Sequence, residues 1–386
     1  GFSPLLSSIP PQSPVAWSNF ITGADPGGHG IFDFVHRNPD TYLPYLSTSK
    51  VEPAPEKAKL LGIPVANRLA VPFTDYVFPL AGGATINLRR GVAFWQVLER
   101  AGVPCTIFKM PSNFPPIPSE EGLVQSVSGM GTPDLLGTYG TFSFYTTDPW
   151  RGSEDLSGGN VYPVEVENGV VHATIYGPPN DFKDYAKIEE RTGEKVAYDA
   201  KKVSVDFEVH VDPENDVAKV VLGDQEEILN VGEFSDWIEI DFTMVPSLVS
   251  VSGIARFYLK QAHPEFEMYV SPIQINPADQ VLPITDPPSY GKEIVDACGY
   301  FYTQNMPEDT KALEHGVFGN EEFTKQSGIV FDERYRCYEW CLDSFDEGLL
   351  YYYFGSLDQS SHAMWRCMDP AHPAYDPRED AEFADY

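Results

Sequence analysis

Three textures of apolar spacing follow one another along this chain. From the start to residue 155, helical and strand-like patterns are mixed. GVAFWQVLERAG (91–102) repeats apolar residues at helical spacing and stops at Gly102, and VPCTIFKM follows it as a strand. A helix that feeds directly into a strand predicts a parallel layered sheet. GMGTPDLLGTYGT (129–141) has no helix-forming pattern and predicts a loop after a strand-like segment. Near residue 156 the spacing changes to two. NVYPVEVENGVVHATIYGP alternates around Glu-Asn-Gly, a hairpin signal, and KVSVDFEVHVDPENDVAKVVLG repeats the pattern around Asp-Pro-Glu-Asn. WIEIDFTMV, VSGIARFYLKQ and FEMYVSPIQI continue it. About seven short strands predict a β-sandwich of roughly 125 residues. The charged stretch 180–202 reads as a solvated excursion from it. After PADQVLPITDPPSY (277–290), helical spacing returns: 321–345 predicts one long helix, and GLLYYYFGS predicts a buried strand. The expected architecture is an α/β core, residues 1–155 and 286–386, interrupted by a β-rich block at 156–285.

Composition narrows the function. Apolar residues make up 42% of the 386, enough for a real core. The formal charge of -31 disfavours a nucleic-acid duplex or an anionic lipid surface as partner. No window approaches the ~20 apolar residues of a membrane span. GFSPLLSS has neither the charged nor the apolar region of a signal peptide, and it lacks a methionine, so the natural start is expected elsewhere. Cys105, Cys298, Cys337, Cys341 and Cys367 are scattered and odd in number, which predicts no disulfide framework. Cys337 and Cys341, one helical turn apart, are expected to be small residues on a packed face.

Two stretches carry candidate chemistry. In PPQSPVAWSNFITGADPGGHGIFDF (10–34), Ser13 is expected as a helix N-cap with Pro14 in the first helical position, and Gly23 as the terminator. A serine there sits at the positive end of a helix, where an anion is favoured. That effect is worth only about 0.3–1 kcal/mol, so an alkoxide at neutral pH also needs a metal ion on the oxygen. Most serines in this setting only cap. In LLYYYFGSLDQSSH (349–362), Asp358 and His362 lie four apart after a strand. A carboxylate and an imidazole can share zinc or manganese, and α/β sheets place ligands beyond strand carboxyl ends. Alone, the signal is weak, and such a pair is more often a solvated or hydrogen-bonded pair in a loop. His29, between two glycines, is expected to support its turn, and Asp33 to cap a nearby amide. Thr132 and Thr138 in the glycine-rich loop, and Lys109, are candidates to approach a phosphate. His172 and His210 fall on alternating strands and are expected to have sheet or surface roles.

These residues carry a resemblance. TGADPGGHGI (22–31) resembles the nucleophile segment of the alkaline phosphatase superfamily in its type I phosphodiesterase and nucleotide pyrophosphatase branch. Aligned on Thr22-Gly23, the family's nucleophile falls on Ser13, and its D-x-S-x-H motif falls on Asp358, Ser360 and His362. GIFDFVHR, GMGTPDLLGTYGT and MPEDTKALEHGVF are similar to bacterial phosphohydrolase and phosphomutase relatives, and both α/β portions are covered. The resemblance implies an alkaline-phosphatase-like core and a site with two divalent ions, usually zinc, manganese being the alternative. It implies a small phosphate ester as substrate and attack by Ser13 to give a phosphoseryl intermediate. Asp358 and His362 would bind one ion; Ser13 would bind the other.

Three departures stand out. Only twelve residues precede Ser13, so no strand bearing the family's early metal aspartate does. No Asp-His-Gly occurs anywhere. Both are expected outside Gly1–Tyr386, in a longer protein. Ala16 stands where the nucleotide branch has an asparagine that holds a phosphoryl oxygen, so Trp17's indole N–H or the helix amides are expected to take that role. A phosphoric-ester hydrolase is the leading expectation, with a non-catalytic binding or surface-assembly protein and a phosphomutase as alternatives. The relatives and the acidic surface lean toward an extracytoplasmic setting; oligomeric state stays open.

Overall fold

A computed structural model describes residues 3–4, 6–52, 54–60, 63–149, 151–153, 156–304 and 306–383. Four strands form the sheet that positions the site: β1 (Cys105–Met110), β2 (Val124–Ser128), β3 (Thr285–Asp286) and β4 (Leu349–Tyr352), in the order β3-β2-β1-β4. β1 pairs in parallel with β2, Cys105 opposite Val124, and with β4, Leu349 opposite Cys105. β3 closes the far edge antiparallel.

Helices cover both faces, and β1 accordingly carries apolar side chains toward each of them. On one side α1 (Ser13–Thr22) and α3 (Phe94–Arg100) bring Ile21, Trp17, Trp95 and Leu98 onto Cys105, Ile107 and Val124. On the other, α4 (Ser289–Cys298) and α5 (Asn320–Asp343) pack Tyr290, Ile294, Cys298, Cys337 and Cys341 on Phe108, Val127, Leu350 and Tyr352. Cys337 and Cys341 are thus buried free thiols on a packed helical face. The pleat's parity breaks once. Lys109 has φ 61, the register shifts there, and Met110 returns to the α1 face beside Ile107. β4 is half-buried throughout rather than buried, because it is the sheet's edge and meets a strand on one side only.

The β-rich part follows the period-two reading. Strand 170–179 pairs antiparallel with 202–211, which pairs with 217–222. The Glu-Asn-Gly hairpin forms because Asn168 and Gly169 both accept positive φ, 55° and 82°, as a two-residue turn of this hand requires. A second five-stranded sheet joins Phe142–Thr146 to 159–163 and 267–270, so strand pairing enters this part before residue 156. The charged stretch holds a helix, Tyr185–Thr192, with no buried residue; Arg191 clasps Asp75 at 2.7 Å. Between residues 35 and 87 lie four two-stranded ribbons that apolar spacing does not announce. No helix among the described residues is long and apolar enough to cross a membrane.

An ionic cluster joins the β-rich part to the core. Glu333 on α5 is fully buried. It accepts from Arg256 Nη2 at 2.7 Å, Trp237 Nε1 at 2.9 Å and the Tyr302 backbone N–H at 3.1 Å. Burial raises its pKa, and Arg256 opposes the shift. Breaking one member of such a set leaves an uncompensated buried charge.

Candidate functional site

The two chemically suggestive stretches meet. A cavity of about 260 Å³ lies beyond the carboxyl end of β4 and is lined by Ser13 and Trp17 from α1 and by Asp358 and His362. Gln12, Phe34, Met130, Met306, Tyr353 and Gln359 complete much of its wall. Residues more than three hundred positions apart share it because α1 lies against β4: Trp17 packs edge-on to Tyr353, with ring centroids 5.1 Å apart.

Ser13 is not the N-cap. Gln12 is: its backbone is extended, and its carbonyl accepts from the N–H of Val15 at 3.0 Å and Ala16 at 2.9 Å, making Ser13 the first helical residue. This limits the helix end as an anion holder. Pro14 has no N–H, and the next two amides are already engaged, so only Ser13's own amide remains of the first turn. The helix stops where expected. Gly23 adopts φ 65 and donates to the Asn19 carbonyl at 2.7 Å.

Asp358 and His362 lie on a helix and not in a loop. α6 (Ser356–Met368) starts directly after Gly355, and Met364 and Cys367 bury its inner side. Helical periodicity puts residues four apart on one face, so the carboxylate and imidazole point together, His362 Nε2 to Asp358 Oδ1 being 3.7 Å. Their side chains are 48% and 75% exposed, so the pair is available to a ligand instead of being spent on packing. Burial, and then the Asp358 charge, push the Tyr353 hydroxyl up to about 12, which keeps it a proton donor at neutral pH.

Beneath the site a clamp holds the start of α6. Arg334 Nη1 donates to Ser356 Oγ at 2.6 Å and to Glu308 Oε1 at 3.0 Å; the Glu308 side chain is fully buried. Gly355 lies against the guanidinium, and a Cβ there would crowd the Tyr353 ring at 3.0 Å. Neither Arg334 nor Glu308 is legible as part of a site from sequence. Arg334 inside a long helix reads as part of a solvated face and Glu308 as a loop charge, and only the fold shows both buried.

The remaining sequence candidates lie elsewhere. Lys109 does not face the cavity; its ammonium is buried and donates to the carbonyls of Tyr302 and Thr303 at 2.8 and 2.9 Å. Thr132 is buried and donates to the Gly129 carbonyl at 2.7 Å. Thr138 donates to Asp134 Oδ2 at 2.5 Å. Both threonines build the glycine-rich loop, and that loop reaches the cavity through Met130 instead. His29 is buried, its Nδ1 accepting from the Ile31 N–H at 3.1 Å and its Nε2 lying 2.7 Å from the Asn19 carboxamide, so it braces α2 (Pro26–His29) against α1. Asp33 accepts from the Phe34 N–H at 2.7 Å, next to the cavity wall.

Among the described residues no group of three or more His, Cys, Asp or Glu side chains is gathered for a metal. No curated protein and no solved structure matches the chain. A family model does match, that of type I phosphodiesterase / nucleotide pyrophosphatase, over residues 2–217. The match covers the Ser13 segment and more than half of the chain. The layered, mixed α/β core is consistent with the alkaline phosphatase superfamily, and the chain belongs to its type I phosphodiesterase / nucleotide pyrophosphatase family.

Proposed function

We propose that the chain is a metal-dependent hydrolase of small phosphoric esters that works through a phosphoseryl intermediate on Ser13. Membership of the family suggests a phosphodiester or pyrophosphate hydrolase, and the family typically uses divalent metals. The observation that carries the finer reading is the shared cavity, where the serine and the carboxylate–imidazole pair stand together. Asp358 and His362 fit a divalent ion by donor type, and Ser13 adds an oxygen at the same cavity. The rest of a ligand set is not gathered among the described residues. When bound, such an ion supplies charge neutralisation at the phosphoryl group and lowers the basicity barrier at the nucleophile.

The chain's own residues do the following in this reading. Ser13 Oγ attacks phosphorus in line; the Oγ–P bond forms as the P–O bond to the leaving alcohol breaks, and the serine proton ends on that alcohol. Water then cleaves the Oγ–P bond, returning the proton to Ser13 and releasing phosphate or its monoester. The Ser13 amide and the Trp17 indole are donors available to a phosphoryl oxygen, Ala16 having no side-chain donor to offer. Phe34, Met130 and Met306 contribute the apolar part of the cavity wall. We also propose that 156–285 is an insertion, because β3, at its end, and β4, downstream of it, complete a sheet begun by β1 and β2.

The test is turnover of bis(p-nitrophenyl) phosphate and p-nitrophenyl phosphate by protein from its natural source, with metal content and intact mass measured. Ser13→Ala should lower turnover by about 10³-fold or more with the metal content held. Turnover unaffected by the substitution would sink the assignment. A folded protein with neither turnover nor metal would instead support a non-catalytic member.

A further inference from the structure

One cavity reverses the charge balance of the chain. Acidic residues outnumber basic ones by 57 to 26, yet a cavity of about 450 Å³ is lined by Arg90, Lys50 and His36 and, among the described residues, by no aspartate or glutamate. Its wall draws on two ribbons, Val35–Arg37 paired with Pro44–Leu46 and Ser49–Glu52 paired with Ala84–Asn87, and on the turn at Gly30. Its size suits a small organic molecule better than a bare ion.

The basic groups are held at the wall with donors left to give. The Arg90 N–H donates to the His29 carbonyl at 2.9 Å, and the guanidinium lies against Gly30, where a Cβ would stand 2.7 Å from Nη2. Among the described residues no ion pair or hydrogen bond takes up this guanidinium. Lys50 meets Glu52 at 3.1 Å, but the two side chains are 56% and 46% exposed, and such a pair holds its lysine weakly. His36 Nε2 accepts from the Phe32 N–H at 3.0 Å. Burial lowers the pKa of this ring against the opposing Asp33 charge, so the neutral ring carries its proton on Nδ1 and is a donor. Asn38 Oδ1 is also spent, on the N–H groups of Asp40 at 2.8 Å and Thr41 at 3.1 Å, which leaves the amide hydrogens. Tyr45 stands edge-on to His36, with ring centroids 5.7 Å apart, and with Leu88 gives the wall an apolar part. A donor-rich wall with two full cations selects an oxyanion, and a cleft focuses their field. A phosphomonoester carries about −1.5 to −2 charges and three acceptor oxygens, which matches Arg90 and Lys50 together better than a singly charged carboxylate does.

We propose that this cavity is a second ligand site, for a small organic phosphomonoester. Arg90 and Lys50 take the phosphoryl oxygens, the guanidinium through its planar fork and the ammonium as a point charge. His36 and Asn38 add N–H donors, and Tyr45 and Leu88 meet the organic part. The site shares no lining residue with the cavity that holds Ser13, and it does not require Ser13 to be a nucleophile. The two cavities are neighbours along the chain, since Phe34 lines the one and His36 the other.

The test is calorimetric titration at pH 8 with phenylphosphonate, a phosphate-like dianion whose C–P bond a phosphoesterase does not hydrolyse. It is run with and without EDTA, so that binding through a metal near Ser13 is recognised by its loss. An EDTA-resistant event with Kd below about 1 mM is expected. It should persist in Ser13→Ala and weaken by about tenfold or more in Arg90→Met, the loss of one charge-assisted contact. If Arg90→Met does not fold, Lys50→Met decides by the same measure. A smaller loss, or no EDTA-resistant binding, overturns the site. Loss in Ser13→Ala with Arg90→Met unaffected places the ligand in the other cavity and overturns it equally. Benzoate bound as tightly as phenylphosphonate would overturn the choice of a phosphomonoester. A Ser13→Ala variant with unchanged turnover would sink the nucleophile and leave this result untouched.

Discussion

Replacing Lys109 by methionine should change how stability depends on pH. The lysine Nζ has two protein acceptors, the carbonyls of Tyr302 and Thr303, and a neutral amine has two protons to give them. The third direction meets the Phe301 ring, 5.4 Å from Nζ to centroid. Burial first, and then the Arg334 charge, lower its pKa from 10.5 to about 7. With the folded pKa below the unfolded one, the unfolded chain binds more protons between these values, and stability rises with pH through that window. For one such group the rise from pH 7.5 to pH 9.5 is on the order of 2–3 kcal/mol. The assay is urea unfolding of both proteins across that range, taking their difference at each pH so that cysteine and tyrosine titrations cancel. Lys109→Met should gain most over the parent at the acid end, and the gap should shrink by about 2 kcal/mol or more toward pH 9.5. A gap independent of pH would refute the reasoning and mean that the two carbonyls hold a charged ammonium throughout.

Arg334→Met should cost about 3–5 kcal/mol by stranding the buried Glu308 carboxylate, and Glu308→Leu in the same chain should restore most of it, measured by urea unfolding. Gly129→Ala should fail to fold or lose more than about 3 kcal/mol, because a Cβ there would stand 2.3 Å from the backbone carbonyls of Lys109 and Met110; a near-normal melting temperature would contradict the packing of the glycine-rich loop. Asp358→Asn and His362→Ala should each lower zinc affinity, read by competition with a chromogenic chelator, while melting temperature without metal stays within about 2 °C, since both side chains are solvated. Zinc binding equal to that of the parent in both variants would remove them as ligands.

The sequence by itself determined the layers and the candidates. Period-two runs gave the hairpins, helical spacing gave α3 and α5, and a positive-φ pair gave the turn at Asn168–Gly169, because each depends on a few neighbouring residues. Gly23 ended its helix for the same local reason. Where tertiary contacts compete, sequence was not enough. The shift of the N-cap from Ser13 to Gln12 depends on which carbonyl captures the Val15 and Ala16 amides. The ribbons between residues 35 and 87 have no apolar period to announce them. Lys109 on its strand and Thr132 and Thr138 in their loop were candidates by residue type alone; packing shows them consumed by nearby backbone and carboxylate groups. The juxtaposition of Ser13 with Asp358 and His362 was expected from the family resemblance and not from any local pattern; the fold supplies its physical cause. It exists because β4 adds to the edge of β1 and brings α6 beside α1, a contact across more than three hundred residues that no local pattern encodes.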